Sequence, residues 1–101
     1  MIKKQFLKSK PVCKVTFSMP AEAAPEAKEI QLVGEFSEWT KSPIEMKKLK
    51  NGSFKTTVNL ETGKEYEFRY VIDGERWEND WEADAYRQSP IAAEENSVVS
   101  L

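Results

Sequence analysis

FKTTVNLETGKEYEFRYVIDG, residues 54–74, is the stretch that decides the fold. Phe54, Thr56, Val58 and Leu60 alternate with Lys55, Thr57 and Asn59; after Thr62-Gly63 the same period of two returns in Tyr66, Phe68, Tyr70 and Ile72. Successive side chains of a strand point to opposite faces, so the pattern reads as two half-buried strands joined by a turn. The inward set of the second strand is strongly aromatic. Asp73-Gly74 ends it with another tight turn, a residue pair that tolerates positive φ.

The same period extends outward from this centre. Cys13, Val15, Phe17 and Met19 alternate with Lys14, Thr16 and Ser18, which puts the only cysteine on a core face as a small hydrophobe. Pro20 to Glu26, with two prolines, reads as a surface loop, and Glu29 to Val33 as a strand ended by Gly34. Pro43 to Leu49 reads as a short edge segment leading into Asn51-Gly52, a strong signal for a two-residue hairpin. Arg76 to Gln88 is mixed and acidic, with a short helical turn expected within Trp81 to Arg87, and Val98, Val99 and Leu101 end the chain as a last strand. Short strands with frequent turns and almost no helical periodicity predict an all-β, immunoglobulin-like β-sandwich of the early-set type, with two antiparallel sheets. Residues 1–11 are set apart as an N-terminal extension and 12–101 as one domain.

Composition limits what such a domain does. At 101 residues, with 40% hydrophobic and 32% charged, the chain is long enough for one modest core and too apolar for disorder. A formal net charge of −2 favours neither phosphate backbones nor anionic lipid, so nucleic-acid and membrane partners are not expected. Lysines gather in Lys3 to Lys14 and in Lys47 to Lys55, and acids between Glu75 and Glu95; both read as solvated faces. The start MIKKQFLKSK lacks an apolar signal core, and one cysteine makes no intrachain disulfide, so the cytoplasm is the expected compartment.

Catalytic chemistry is poorly supplied. The chain has no histidine, which removes the commonest general base and zinc ligand together, and its four glycines form no phosphate-binding loop. A carboxylate pair drawn from Glu75, Glu78, Asp80, Glu82 and Asp84 is the remaining route to a glycosidase, but a small sandwich offers no walled cleft to raise one pKa. No catalytic residue, metal or cofactor is expected.

Trp39, Trp77 and Trp81 stand among charged and turn residues, where they either cover the ends of the core or stack on a ligand. Indole faces suit the C–H patches of a glucose ring, and polar side chains suit its hydroxyl rim. Arg69 is out of phase with Phe68 and Tyr70, so it is expected as a surface donor on the opposite face, and Asn96 begins the last strand.

These residues carry a resemblance that spans roughly Val12 to Leu101. Leu32-Val33-Gly34-Glu35-Phe36-Ser37-Glu38-Trp39 follows L-x-G-x-F-N-x-W, and Tyr66 to Gly74 follows Y-x-Y-K-F-x-V-D-G. Trp77 comes next, and Asn96-Ser97-Val98-Val99 follows N-N-x-x. The chain thus resembles family 48 of the carbohydrate-binding modules, which includes the glycogen-binding domain of the AMP-activated protein kinase β-subunit and the N-terminal modules of branching and debranching enzymes. The resemblance implies non-catalytic binding of α-1,4-linked glucan, either glycogen, starch or a maltooligosaccharide. It carries the sugar contacts to Trp39, Arg69, Trp77 and Asn96, and suggests a glycogen-metabolising enzyme as associate. Arginine replaces the family's lysine, Ser37-Glu38 replaces its asparagines, and Asn79-Asp80-Trp81 stands where Asp-Pro is usual. Where the kinase module has a leucine that threads a sugar ring, this chain has Ala92, with Ile91 adjacent. The alternative function is a protein-interaction or structural scaffold module of the same fold.

Overall fold

The computed structural model describes residues 1–90 and 94–101. Two-residue alternation is realised as strands wherever it is sustained. Cys13, Val15, Phe17 and Met19 are all buried in β2 (Val12–Met19), and Phe68, Tyr70 and Ile72 in β7 (Glu65–Ile72). The other strands are β1 (Ile2–Phe6), β3 (Ile30–Gly34), β4 (Ile44–Glu45), β5 (Lys47–Lys48), β6 (Phe54–Glu61), β8 (Arg76–Glu78), β9 (Ala85–Gln88) and β10 (Glu95–Ser100). They form two antiparallel sheets, ordered β1-β2-β6-β5 and β4-β3-β7-β10-β9, with β8 also paired to β7. The fold is the all-β sandwich that the sequence predicts.

The inner faces of the sheets meet through aromatic side chains. Phe17 of the first sheet packs edge-on against Phe68 of the second, with ring centroids 5.0 Å apart, and Phe36 lies 5.6 Å from Phe17 at one end of the core. Gly34 sits where β3 runs against β7. A Cβ there would come within 2.7 Å of the Glu67 carbonyl oxygen and 2.8 Å of the Phe68 Cβ, so any larger residue pushes the two strands apart.

Several segments differ from the sequence reading. Residues 1–11, set apart as an extension, contribute β1, which pairs with β2 from Ile2↔Phe17 to Phe6↔Cys13. The Asn51-Gly52 turn is longer than two residues: Leu49 donates its N–H to the Ser53 carbonyl and Gly52 donates to that of Leu49, and the Asn51 side chain accepts the Ser53 N–H. Only Gly52 in this turn takes a positive φ, so asparagine acts through its side chain instead of its backbone. The helical turn expected within Trp81 to Arg87 is absent, because Ala85 to Gln88 pair with β10 as an edge strand. β8 was equally illegible, being three residues held by pairing with β7.

Two aspartates tie turns to strands. Asp73 Oδ1 accepts the Glu29 and Lys28 N–H groups at 2.9 and 2.8 Å, which hold its carboxyl below the usual aspartate range. Partial burial works against ionisation of Asp84, but the Lys4 ammonium at 2.7 Å and the Ser100 N–H at 2.8 Å outweigh it and lower its pKa. Both folded values lie below the unfolded one of about 3.9. Their contribution to stability is therefore complete above the unfolded value and is lost as pH falls through the folded ones. Chemical denaturation midpoints are expected to fall between about pH 5 and pH 2. The Asp73→Asn, Asp84→Asn double variant, which keeps side-chain acceptors but no titrating carboxyl, should show a flatter acid slope. An unchanged slope would contradict the assignment.

Candidate functional site

The outer face of the five-strand path is unusual in being covered. Val33, Val71 and Val98 are buried although they lie outside the inter-sheet cluster, and Arg69 shares their face because it alternates with Phe68 and Tyr70. The cover comes partly from β8. The Asp73-Gly74 turn, with φ of 52° and 71° at its two residues, folds β8 back beside β7, so that Trp77 pairs with Val71 and lies on the outer face. Its ring stands 5.7 Å from the Arg69 guanidinium, a cation–π contact, and remains 39% exposed.

Trp39 reaches the same face from the loop after β3. Ser37 accepts the Gly34 N–H at 3.1 Å, closing a tight turn, and Glu38 and Trp39 then both take left-handed φ, 54° and 56°. This backbone costs on the order of 1–3 kcal/mol per bulky residue, and such strain concentrates at functional positions. Trp39, Trp77, Arg69 and Asn96 all line one groove of about 740 Å³, within the size range of small-ligand sites. All four residues singled out from the sequence are thus brought together.

Arg69 differs from expectation. It is not a surface donor but only 5% exposed, as is Asn96. Its Nε donates to Asn96 Oδ1 and its Nη1 to Glu94 Oε2, both at 2.8 Å, while Asn96 Nδ2 donates to Glu67 Oε1 at 3.0 Å. The Glu67 N–H in turn donates to Glu35 Oε1 at 2.7 Å. A hydrogen-bonded network therefore runs along the groove from Glu94 through Arg69, Asn96 and Glu67 to Glu35. Among the described residues, two of the five guanidinium donors are committed, to Asn96 and Glu94.

The burial of Arg69 changes what its removal should do. Arg69→Ala leaves the buried Asn96 carbonyl without its donor and takes the support from beneath Trp77, at a cost of about 2 kcal/mol. The pair with exposed Glu94 adds little. Tm is expected to fall by roughly 8–16 °C, with sugar affinity falling too. An unchanged Tm would return Arg69 to the surface role.

The sequence reading also missed residues. Glu35, Glu67 and Glu94 belong to the network; Glu67 was legible, because it shares the phase of Arg69, but Glu94 was one acid in a mixed stretch. Trp81, grouped with the other tryptophans by its surroundings, is 58% exposed and does not line the groove. Asp80, grouped with solvated acids, is 2% exposed and accepts the Tyr70 hydroxyl at 2.6 Å on the core side of the sheet. Ala92 and Ile91, at the family's leucine position, lie outside the described residues.

An aromatic, hydrogen-bonding groove on one outer face of a sandwich has the make-up of a ligand-recognition surface. The profile of a family described as the glycogen recognition site of AMP-activated protein kinase matches residues 22–93, and the chain belongs to that family. This agrees with the family-48 resemblance and supports carbohydrate recognition. No curated protein sequence matches the chain. Among solved structures, the enterobactin esterase FES from Shigella flexneri, crystallised in the presence of 2,3-di-hydroxy-N-benzoyl-serine, superimposes with a TM-score of 0.72 at 11% identity. The likeness covers 99% of this chain and 32% of the esterase chain, so this chain spans about a third of that protein's length, and at this identity it concerns the fold alone.

Proposed function

We propose that the chain binds α-1,4-linked glucan, such as glycogen, starch or maltooligosaccharides, without transforming it. The observation that carries the reading is the convergence of Trp39, from a strained backbone in the loop after β3, and Trp77, from β8, on a groove floored by Arg69 and Asn96. Two indoles suit successive glucose faces, and the remaining guanidinium and amide donors suit the hydroxyl rim. The engagement of three of the groove's four carboxylates favours binding over hydrolysis: Glu94 accepts from Arg69, Glu67 from Asn96, and Glu35 from a backbone N–H. Such a module would hold an associated glycogen-metabolising enzyme on its polymer in the cytoplasm.

Affinity retardation on immobilised amylose and glycogen, with cellulose as control, tests the reading, and release of reducing sugar from the same glucans tests the absence of turnover. Retardation by the α-glucans without reducing-sugar release is the expected result. Equal migration through all three matrices would favour the interaction-scaffold alternative.

A further inference from the structure

The groove carries more negative charge than a sugar needs. Four glutamates line it, Glu35, Glu67, Glu75 and Glu94, against two arginines, Arg69 and Arg76. Both arginines are already paired, Arg69 with Glu94 at 2.8 Å and Arg76 with Glu78 at 3.4 Å. Among the described residues Glu35, Glu67 and Glu75 have no ion-pair partner. Hydrogen bonds from Asn96 to Glu67 and from the Glu67 N–H to Glu35 orient two of these carboxylates without cancelling their charge.

We infer that the groove selects uncharged glucan over the same polymer bearing phosphate or carboxylate groups, with Glu35, Glu67 and Glu75 setting the discrimination. This rests on the glucan reading above and narrows it to a chemical class. A glucose hydroxyl donates a hydrogen bond to a carboxylate, whereas a phosphate meets like charge on several sides. The cations within reach of a phosphate are Arg69 and Arg76, each already held by a carboxylate, Glu94 and Glu78, so gaining either one sets the phosphate against that carboxylate. The indole walls are apolar, so the repulsions are less screened than on an open surface. Together they should weaken an anionic ligand about tenfold at low ionic strength, and less once the Debye length shrinks to a few ångströms in high salt.

The test compares maltoheptaose with its 6-phosphate ester, by calorimetry on the full chain, at low and high salt. The ester is expected to bind about tenfold more weakly at low salt. The ratio should narrow in high salt and in the Glu35→Gln, Glu75→Gln double variant, where each amide keeps a side-chain acceptor. Equal or tighter binding of the ester would overturn the selectivity, and so would a ratio that neither salt nor the double variant changes, since that points to a steric cause. Binding of neither sugar would overturn the glucan reading and the selectivity with it. A sugar-free measurement reads the field directly: in Trp81→Phe protein, whose remaining tryptophans both line the groove, caesium should quench fluorescence more than iodide does when each is expressed relative to its quenching of free N-acetyltryptophanamide. Iodide quenching as strong as that by caesium on this scale would contradict the charge assignment.

Discussion

Trp77→Ala and Trp39→Ala are each expected to remove most glucan binding while leaving the sandwich folded. Neither ring belongs to the inter-sheet cluster, and Trp77 lies over the Arg69 guanidinium while 39% exposed. If a sugar covers about 70 Å² of each indole, burial at about 25 cal/mol per Å² contributes about 1.75 kcal/mol per ring. Losing one ring should weaken binding roughly 20-fold, enough to lift a weak interaction out of a practical titration range. The two variants are not equivalent in the free protein. Trp77→Ala uncovers Arg69, so its Tm should fall by a few degrees; Trp39→Ala removes a bulky side chain from a left-handed backbone and should change Tm little. Circular dichroism melts beside glucan titrations separate the outcomes. Unfolding of either variant would mean that the rings support the core.

The opposite behaviour is expected at Asp80. Burial first, and then the neighbouring Asp80 carboxylate, push the Tyr70 phenol well above its ordinary pKa, so it stays a donor to Asp80 Oδ2. The same carboxylate pairs with the Met1 ammonium, and its second oxygen accepts the Glu82 N–H at 2.8 Å. Asp80→Ala leaves a buried hydroxyl without an acceptor and an ammonium without its partner, at a cost of about 3 kcal/mol. Tm should fall by roughly 12–24 °C. Asp80→Asn keeps an acceptor but not the charge and should fall between the variant and the parent. Because Asp80 lies on the core side, away from the groove, the folded fraction should bind glucan with parent affinity. Lost affinity at unchanged Tm would place Asp80 in the binding site instead.

How far the sequence reveals this protein depends on how its residues are held. β2, β6 and β7 are legible because each keeps two-residue alternation over eight residues. β4 and β5 fall within the edge segment read over Pro43 to Leu49, whereas β8 and β9, three and four residues long, exist through pairing with a longer neighbour, which a local pattern does not record. The site divides in the same way. Trp39, Arg69, Trp77 and Asn96 could be marked by phase, spacing and family resemblance, but phase gives only the face on which a side chain emerges. Whether Arg69 meets water depends on β8 folding Trp77 above it and on Glu94 arriving from 25 residues away in sequence. Asp80 failed for a related reason. Its neighbours Glu78 and Glu82 look like solvated loop acids, and only the convergence of Tyr70 and the chain's first residue shows why a carboxylate is buried there.

The central claim is that Trp39 and Trp77 form one sugar-stacking surface, and a tryptophan-emission titration addresses it most directly. Trp81→Phe removes the exposed indole that lies outside the groove, so the remaining emission comes from the two rings in question. Adding maltoheptaose should shift that emission saturably with a Kd between roughly 10 μM and 1 mM, since the stacking gain is set against an association cost of several kcal/mol. Cellohexaose should leave it unchanged. Emission that fails to respond to maltoheptaose, or responds equally to both sugars, would contradict the account.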